Sequence, residues 1–390
     1  MLGNYRSPAA VAVGLAAACL SMAASAEAET LTQLEARIAA LEAKEQEPVQ
    51  ITNRYGMQLS FYGKVKVDAV MDNNYGLGPS SGGMALVTDS TPENSDQQIH
   101  GYQTLFGFRA EQDTEYGKLR FNIEGDFFGG GGGTVRLRHA YGQIGGWTIG
   151  QTWSTFSILN ETPAVWDFNG TAGPANFRVP LIRYSSDFGT GTHIDASIEE
   201  DYQSWGDRPA AAFAISQKFD RGSLRFAYIN RELRSAQGTV DGWGANIGAT
   251  FKPWENGLIQ ASYTRGEGIS SIMGFSGYAG QQAGPTGGRT FYDVDADGNA
   301  VEMDGYLVSI SHKIQPNLSV LAAYGAQSYD PFAGALATDT KKLESVHVGG
   351  KYNLLDNLAL GGEVIWQKRT QFDRQTVDNT RLHLSATFEF

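Results

Sequence analysis

The sequence predicts an all-β protein: a transmembrane antiparallel β-barrel of about 16 strands over residues 57–390. Three observations predict this fold. The C-terminal segment alternates between apolar and polar residues, the same alternation recurs along the chain, and short connections alternate with long ones.

The last eleven residues, Thr380 to Phe390, show the alternation without a break. Leucine, alanine and phenylalanine occupy every second position from Leu382, and arginine, histidine, serine, threonine and glutamate lie between them. A period of two indicates a strand with one apolar and one polar face. A last strand that is apolar outside, polar inside and aromatic at its end is typical of a closed barrel in a bacterial outer membrane.

Similar segments begin at Met57 and recur to the end of the chain, and an even number of them predicts that both barrel termini face the periplasm. Counts of 14 or 18 remain alternatives, and a barrel of 16–18 strands encloses water. The sixteen segments start near residues 57, 99, 117, 133, 147, 178, 191, 208, 223, 239, 257, 301, 317, 342, 357 and 378.

The connections alternate in length, as tight periplasmic turns and longer outer loops do in such barrels. The short ones are 114–116, 145–146, 188–190, 220–222, 253–256, 315–316 and 354–356. The variable and often longer ones are 72–98, 129–132, 155–177, 204–207, 236–238, 271–300, 331–341 and 372–377.

Residues 1–26 are predicted to be a signal peptide, with Arg6, an apolar run from Val11 to Leu20 and a small-residue cleavage site that ends at Ala26. The run is too short to span a bilayer, which takes about 20 residues. The only cysteine, Cys19, lies in this leader and lacks the usual preceding aliphatic residue of a lipidation site, so the mature chain has no thiol chemistry.

Residues 27–48 are predicted to form a charged periplasmic helix that ends at Pro48. Its apolar residues have the a/d spacing of two heptads, which indicates a small parallel coiled coil in an oligomer, and a single amphipathic helix on a partner surface is the alternative. These residues are Leu31, Leu34, Ile38 and Leu41.

Removal of the leader takes the formal net charge from −12 to −13, because Arg6 is its only charged side chain. So acidic a chain argues against nucleic acid as a partner. The sequence has no nucleophile elbow and no histidine pair at metal-ligand spacing, which predicts no enzyme activity, no metal and no cofactor. Asp293 to Asp304 resembles the start of a calcium loop but lacks flanking helices, so a hairpin turn is predicted there.

Two arginines in one segment, Arg136 and Arg138, are the first candidates for a pore site. They share a face, and an arginine that faces lipid costs roughly 2–4 kcal/mol at the bilayer midplane, so both are predicted to face the lumen. Leu137 and Tyr141 are then predicted to face lipid, with His139 on the same side.

Three more arginines, Arg120, Arg109 and Arg183, fall on polar faces of nearby segments and complete a predicted arginine cluster. A guanidinium about 6 Å from a carboxylate gains roughly 3 kcal/mol at an effective dielectric constant near 20, enough to recruit a small anion and still release it. In the alternative, the arginines are paired with carboxylates of the same segments and have no effect on solutes. Those carboxylates are Glu111, Glu124 and Asp126.

The third long connection, 155–177, is predicted to fold inward and narrow the channel, with an outward loop packed on itself as the alternative. Glu161 and Asp167 would then face the arginines and create a transverse field. Its aromatic residues, Trp166, Phe168 and Phe177, are expected to anchor the loop.

The segment GQTWSTF at 150–156, the preceding RLRHAYG at 136–142, the N-terminal heptads and the terminal phenylalanine resemble the DcaP-type porins. The resemblance covers essentially the whole mature chain. It implies a homotrimer, a short N-terminal coiled coil and uptake of small anionic solutes such as dicarboxylates, with Arg136 and Arg138 as eyelet residues.

The combined prediction is an outer-membrane porin, in contact with membrane lipid and lipopolysaccharide, that passes small hydrophilic anions passively. A general diffusion porin or a cation or sugar porin is the first alternative. A plugged barrel that serves as an adhesin or cell-wall anchor, and a barrel hydrolase, are the others.

Overall fold

The computed structural model describes residues 51–201, 206–274 and 292–390. The predicted signal peptide and the predicted helix at 27–48 lie outside the described residues. Within those ranges, no helix has both the length and the apolar character needed to cross a membrane.

Most of the described residues lie in β-strands, and the helical structure among them is two short 3₁₀ helices at Ser81–Leu86 and Ser270–Ile272. The strands are β1 Ile51–Thr52, β2 Gln58–Asp72, β3 Asp96–His100, β4 Leu105–Thr114, β5 Gly117–Gly129, β6 Thr134–Ile144, β7 Trp147–Trp153, β8 Arg178–Phe188, β9 Thr192–Glu199, β10 Ala210–Phe219, β11 Gly222–Ser235, β12 Gly238–Phe251, β13 Gly257–Glu267, β14 Glu302–Gln315, β15 Leu318–Tyr329, β16 Thr340–Leu355, β17 Leu358–Gln371 and β18 Thr376–Glu389.

Strands β2 to β18 pair antiparallel with their neighbours, and β18 pairs with β2 to close the barrel. Strands β3 and β4 share β2 as a neighbour: β4 pairs with its first half and β3 with its second half. The two therefore form one wall strand, interrupted at 101–104, and the wall has sixteen strands. The predicted sixteen-stranded barrel is confirmed, with each predicted segment at a wall strand.

The wall strands follow the predicted alternation. Phe61 and Ile149 are 66% and 57% exposed on the outer face, whereas Asp68 and Ser385 are buried on the inner face. Closure satisfies the backbone hydrogen bonds of the wall strands, which is what a segment in hydrocarbon requires.

A β-bulge in β6 changes the predicted orientation of two residues. Glu124 pairs with His139 and the next residue, Gly125, pairs with Leu137, so Arg138 is an extra residue in the ladder. The imidazole of His139 therefore faces the lumen together with Arg138. The prediction that His139 and Tyr141 face lipid is wrong, because both follow the bulge.

The third long connection, named L3 and comprising residues 154–177, folds into the barrel, as predicted. It runs out across the lumen and returns. Asn246 of β12 donates to the carbonyl of Phe156, Trp166 Nε1 donates to the carbonyl of Gly350 on β16, and the backbone amide of Ala172 donates to Ser345 of β16. The outward-loop alternative does not hold.

Four glycines on the inner faces of β12, β14, β15 and β17 make room for L3, and we name them the glycine track. A Cβ at Gly325 would meet the carbonyl oxygen of Ala172, and a Cβ at Gly361 would meet the indole ring of Trp166. The backbone and side chains of L3 can lie this close to the strands only where the strand residue has no side chain. The glycine track consists of Gly248, Gly305, Gly325 and Gly361.

Candidate pore constriction

Six arginines project inward from β4, β5, β6 and β8, and we name this surface the basic wall. Five of them are the arginines predicted from sequence, and the sixth, the first residue of β8, was not predicted. The strands lie side by side, with only β7 between β6 and β8, so their inner faces form one continuous surface. The basic wall consists of Arg109, Arg120, Arg136, Arg138, Arg178 and Arg183.

Arg136 and Arg138 lie together, as predicted, but each is paired with a carboxylate of β5. Arg136 binds Asp126 through two bonds, Nε to Oδ1 at 2.9 Å and Nη2 to Oδ2 at 2.7 Å. Arg138 bridges Glu124 at 2.6 Å and Asp126 at 2.8 Å. Such paired contacts fix the guanidinium planes firmly.

Arg120 and Arg183 also have acidic neighbours. Arg120 Nε lies 2.9 Å from Glu111, and Arg183 Nε lies 3.9 Å from Asp195. Both pairs form across adjacent strands. The carboxylates at Arg120, Arg136 and Arg138 are the three that the alternative of a paired arginine wall names, whereas Asp195 is not among them.

Arg109 and Arg178 differ from the other four because no carboxylate of the described residues lies within 4.0 Å of their guanidinium groups. Each rests on an aromatic ring instead. The guanidinium carbon of Arg109 lies 5.2 Å from the ring centre of Tyr62, and that of Arg178 lies 3.6 Å from the ring centre of Trp153. A cation–π contact holds a guanidinium in place without neutralising its charge.

A second contact orients Arg178. Its Nε donates to Nε2 of His139 at 3.3 Å, and Nδ1 of that imidazole lies 3.0 Å from Oγ1 of Thr152. These partners assign the proton of a neutral His139 to Nδ1, which leaves Nε2 free to accept. The only sequence signal for Arg178 is its position directly after L3.

The tip of L3 reaches the basic wall through Phe168. Its ring stacks on Phe128 at 3.7 Å, and the guanidinium carbon of Arg136 lies 4.9 Å from its ring centre. The ring centre of the nearby Trp166 lies 5.4 Å from Nζ of Lys66, which also donates to the Trp166 carbonyl. Two of the predicted anchors, Trp166 and Phe168, therefore have anchoring contacts, and Phe177 packs against the inner apolar core.

The predicted carboxylate Asp167 is not presented to the lumen. It accepts hydrogen bonds from the amide and hydroxyl of Ser81, and it pairs with Arg381 of β18 at 3.2 Å. Burial alone would raise the pKa of Asp167, but the neighbouring His383 and Arg381 lower it well below its usual range. Asp167 therefore anchors L3, and the expectation that it faces the arginines across an eyelet is not met.

The other predicted carboxylate, Glu161, is 2% exposed and packs over Gly248 of the glycine track. Its Oε2 has no hydrogen-bond partner in the described part of the chain. Burial raises the pKa of this carboxyl group. Because Glu161 packs against the barrel wall and is not presented to the open passage, the predicted acidic side of the constriction is weak.

A buried charge network beneath L3 was not predicted from sequence. Arg381 binds Asp72 at 2.7 Å, and His383 lies 2.9 Å from Asp68, with the four side chains at most 2% exposed. The C-terminal alternation placed both Arg381 and His383 on the inner face. Their burial follows from L3 and the 73–95 loop, which cover that face.

Between L3 and the periplasmic end of the barrel lies a lumen cavity of about 680 Å³ that reaches the Gly145–Gly146 turn. Arginines and L3 residues line it together, so the space next to the loop is polar and basic in part. Its lining includes Arg120, Arg183, Arg225, Trp153, Asn160 and Glu161.

The segment that resembled a calcium loop forms a turn. Val294 and Ala300 form an isolated antiparallel bridge, and Asp295 accepts from the amides of Asp297 and Asn299. The side chain of Asp293 is engaged with Arg231 and Ser271. Among the described residues, no group of three acidic, histidine or cysteine side chains could hold a metal ion.

Comparison with known proteins agrees with this architecture. The family model for the DcaP outer membrane protein matches residues 35–205. The outer membrane channel DcaP of Acinetobacter baumannii is 24% identical, with 88% of this chain and 100% of that chain covered and a TM-score of 0.75. No curated protein sequence matches the chain.

Two further structures share the fold at lower identity. The anion-selective porin from Comamonas acidovorans is 14% identical, with 86% of this chain and 100% of that chain covered and a TM-score of 0.59. OmpF of Salmonella typhi is 13% identical, with 88% and 100% covered and a TM-score of 0.58. The predicted resemblance to the DcaP family of outer-membrane porins is therefore confirmed, through the match at residues 35–205 and the shared barrel fold.

Proposed function

We propose that this protein is a passive outer-membrane porin for small hydrophilic anions, with dicarboxylates as the expected class. The observation that carries the proposal is the basic wall beside L3. Its six arginines face the lumen, two of them without a carboxylate partner among the described residues, whereas Asp167 and Glu161 of L3 are buried. An anion near L3 therefore meets more exposed positive than negative charge.

The strength of the attraction between one guanidinium and an anionic solute favours passage of the solute over its retention in the pore. A carboxylate about 6 Å from one uncompensated guanidinium gains roughly 3 kcal/mol at an effective dielectric constant near 20. Charges farther away are screened over about 8 Å at physiological salt. One such contact concentrates anions in the constriction and still releases them, as conduction requires.

The barrel fold shared with the anion-selective porin from Comamonas acidovorans is compatible with the same function. The rival is a general diffusion or cation or sugar porin, in which the wall pairs at Arg120, Arg136, Arg138 and Arg183 cancel the field. The charge that remains after pairing decides between the two.

The test is a measurement of zero-current potential for the purified full chain in planar bilayers under a potassium chloride gradient. We expect a potential of the sign that chloride preference produces, and succinate should reduce the chloride current by occupying the constriction. A cation-preferring potential, or a potential near zero with no effect of succinate, would reject the anion porin.

We also propose that the mature chain begins at Glu27 and assembles as a homotrimer through the helix at 27–48 in the periplasm. An a/d seam of two heptads is too short to be stable alone, so it requires the barrels as a further source of association. Deletion of Glu29–Glu47 should weaken the multimer on unheated detergent gels and leave the barrel closed. A monomer in native mass spectrometry of the full chain would contradict the trimer.

A further inference from the structure

We propose that Arg178 is the residue of the constriction that contacts the anionic solute, and that Arg136 and Arg138 are wall residues whose charges are already compensated. This inference rests on the proposed function and names its specificity-determining residue. The ligand class is a carboxylate or a smaller anion.

The charged groups around Arg178 include both arginines and carboxylates. Arg136, Arg138, Glu124 and Asp126 all lie within electrostatic range of its guanidinium. The two carboxylates bind the two β6 arginines at 2.6–2.9 Å, so those four groups are neutral together. The positive charge left in the cluster is that of Arg178.

Two contacts fix the guanidinium of Arg178 and leave its terminal nitrogens free within the described part of the chain. Trp153 covers one face of the guanidinium at 3.6 Å, and His139 occupies the Nε–H. The terminal Nη groups have no hydrogen-bond partner among the described residues. They are therefore donors in a fixed plane, and two parallel N–H groups of a guanidinium match the two oxygens of a carboxylate.

Arg178 lies beside L3 and the lumen cavity. Arg178 is the first residue after L3, next to Trp153, which lines the lumen cavity. The other unpaired arginine of the basic wall, Arg109, is fixed by Tyr62 of β2 and adjoins no residue of L3 along the chain. Lys64 lies near Arg138 as well, but Glu389 is within range to compensate its charge.

The experiment uses the full chain in planar bilayers, with a potassium chloride gradient for selectivity and succinate as the competing anion. Arg178→Gln removes the charge and keeps a polar side chain of similar length. The zero-current potential should shift toward potassium. The succinate concentration that halves the chloride current should rise at least about five-fold; a tenfold rise would correspond to a loss of about 1.4 kcal/mol of binding free energy.

Arg109→Gln is the matched control, because it removes an arginine that also lacks a carboxylate partner and also rests on a ring. Arg109→Gln should raise the succinate concentration that halves the chloride current by less than half as much as Arg178→Gln does. Equal effects of the two variants would overturn the proposal while wild-type anion preference still supports the proposed function. A wild-type channel without anion preference would instead remove the proposed function itself.

A second variant tests the charge argument even where Arg178→Gln fails to fold. Asp126→Asn removes the carboxylate that Arg136 and Arg138 share, so their charges become available and the zero-current potential should move further toward chloride. An unchanged potential would mean that Asp126 does not compensate them, and the proposal would fail. Circular dichroism and heat-dependent gel mobility check that each variant barrel is intact.

Discussion

The two sides of the barrel interior use the same charged residue types in opposite ways. On the basic wall, Arg178 rests on Trp153 and has no carboxylate within 4.0 Å among the described residues. On the side covered by L3, Arg381 is fully buried, with Asp72 at 2.7 Å and Asp167 at 3.2 Å. The difference comes from the loop: an inward-facing arginine is accessible from the lumen only where L3 leaves it uncovered.

The comparison also explains why L3 can be held across a water-filled lumen. A loop is stable there only if its buried polar groups find partners. Ser154 donates to Glu199, the amide of Asp167 donates to Glu363, and Arg225 donates to the carbonyl of Thr155. The covered side of the barrel therefore serves as the support for the loop, and the basic wall faces the open passage.

The largest expected effect is at Arg381. Arg381→Met leaves two carboxylates buried without their partner, which typically costs about 3–5 kcal/mol. We expect a clear fall in the urea midpoint of barrel unfolding in detergent and an increase in single-channel conductance as L3 detaches. Arg120→Met is the control, since its pair with Glu111 is exposed and worth about 1 kcal/mol or less. Equal losses at the two positions would contradict the contrast between the two sides.

The second effect concerns the glycine track. Gly325→Ala places a Cβ against the carbonyl oxygen of Ala172, which is backbone and cannot move aside alone, so we expect L3 to shift at a cost of roughly 1–3 kcal/mol. Conductance should rise in bilayer recordings. Gly362→Ala, on the lipid-facing side of β17, meets the flexible end of Leu384 at 3.1 Å and the carbonyl oxygen of His383 at an ordinary contact distance of 3.7 Å, so it serves as the control. Unchanged conductance of Gly325→Ala would show that the track does not hold the loop.

Most of the fold was predictable because each wall strand carries its own signal, a period of two that does not depend on distant residues. The bulge in β6 was not predictable, since it depends on the register of β6 with β5. The only sign of it in the sequence was that strict alternation placed the polar His139 on the outer face. The role of Asp167 was misassigned for a related reason. Its partner Arg381 is 214 residues away, and no local pattern reports such a contact.

The candidate site was predictable in part. Strand parity placed five arginines on the inner face correctly, but it carries no information on pairing, which requires the positions of Glu124 and Asp126 across the bulge. Arg178 was missed because strict alternation in β8 groups it with the outward-facing Ile182 and Tyr184. Its contacts with Trp153 and His139 exist only in the folded barrel.

The smallest expected effect is a pH dependence of L3 at Glu161. Because burial raises the pKa of Glu161, the packed loop holds the proton more tightly than an exposed loop does. The packing of L3 is therefore most stable below the ordinary glutamate pKa of about 4.3, and it loses stability as pH rises through the pKa of the packed state.

Glu161→Gln is neutral at every pH and should remove this loss. Amide hydrogen exchange of L3 in the wild type and the variant, compared at each pH, measures the difference, and Asp113→Asn at an exposed carboxylate should show none. If the difference in L3 hydrogen exchange between the wild type and Glu161→Gln stays constant with pH, the prediction is contradicted. The covered side of the barrel would then accommodate the charged form of Glu161 without loss of loop stability.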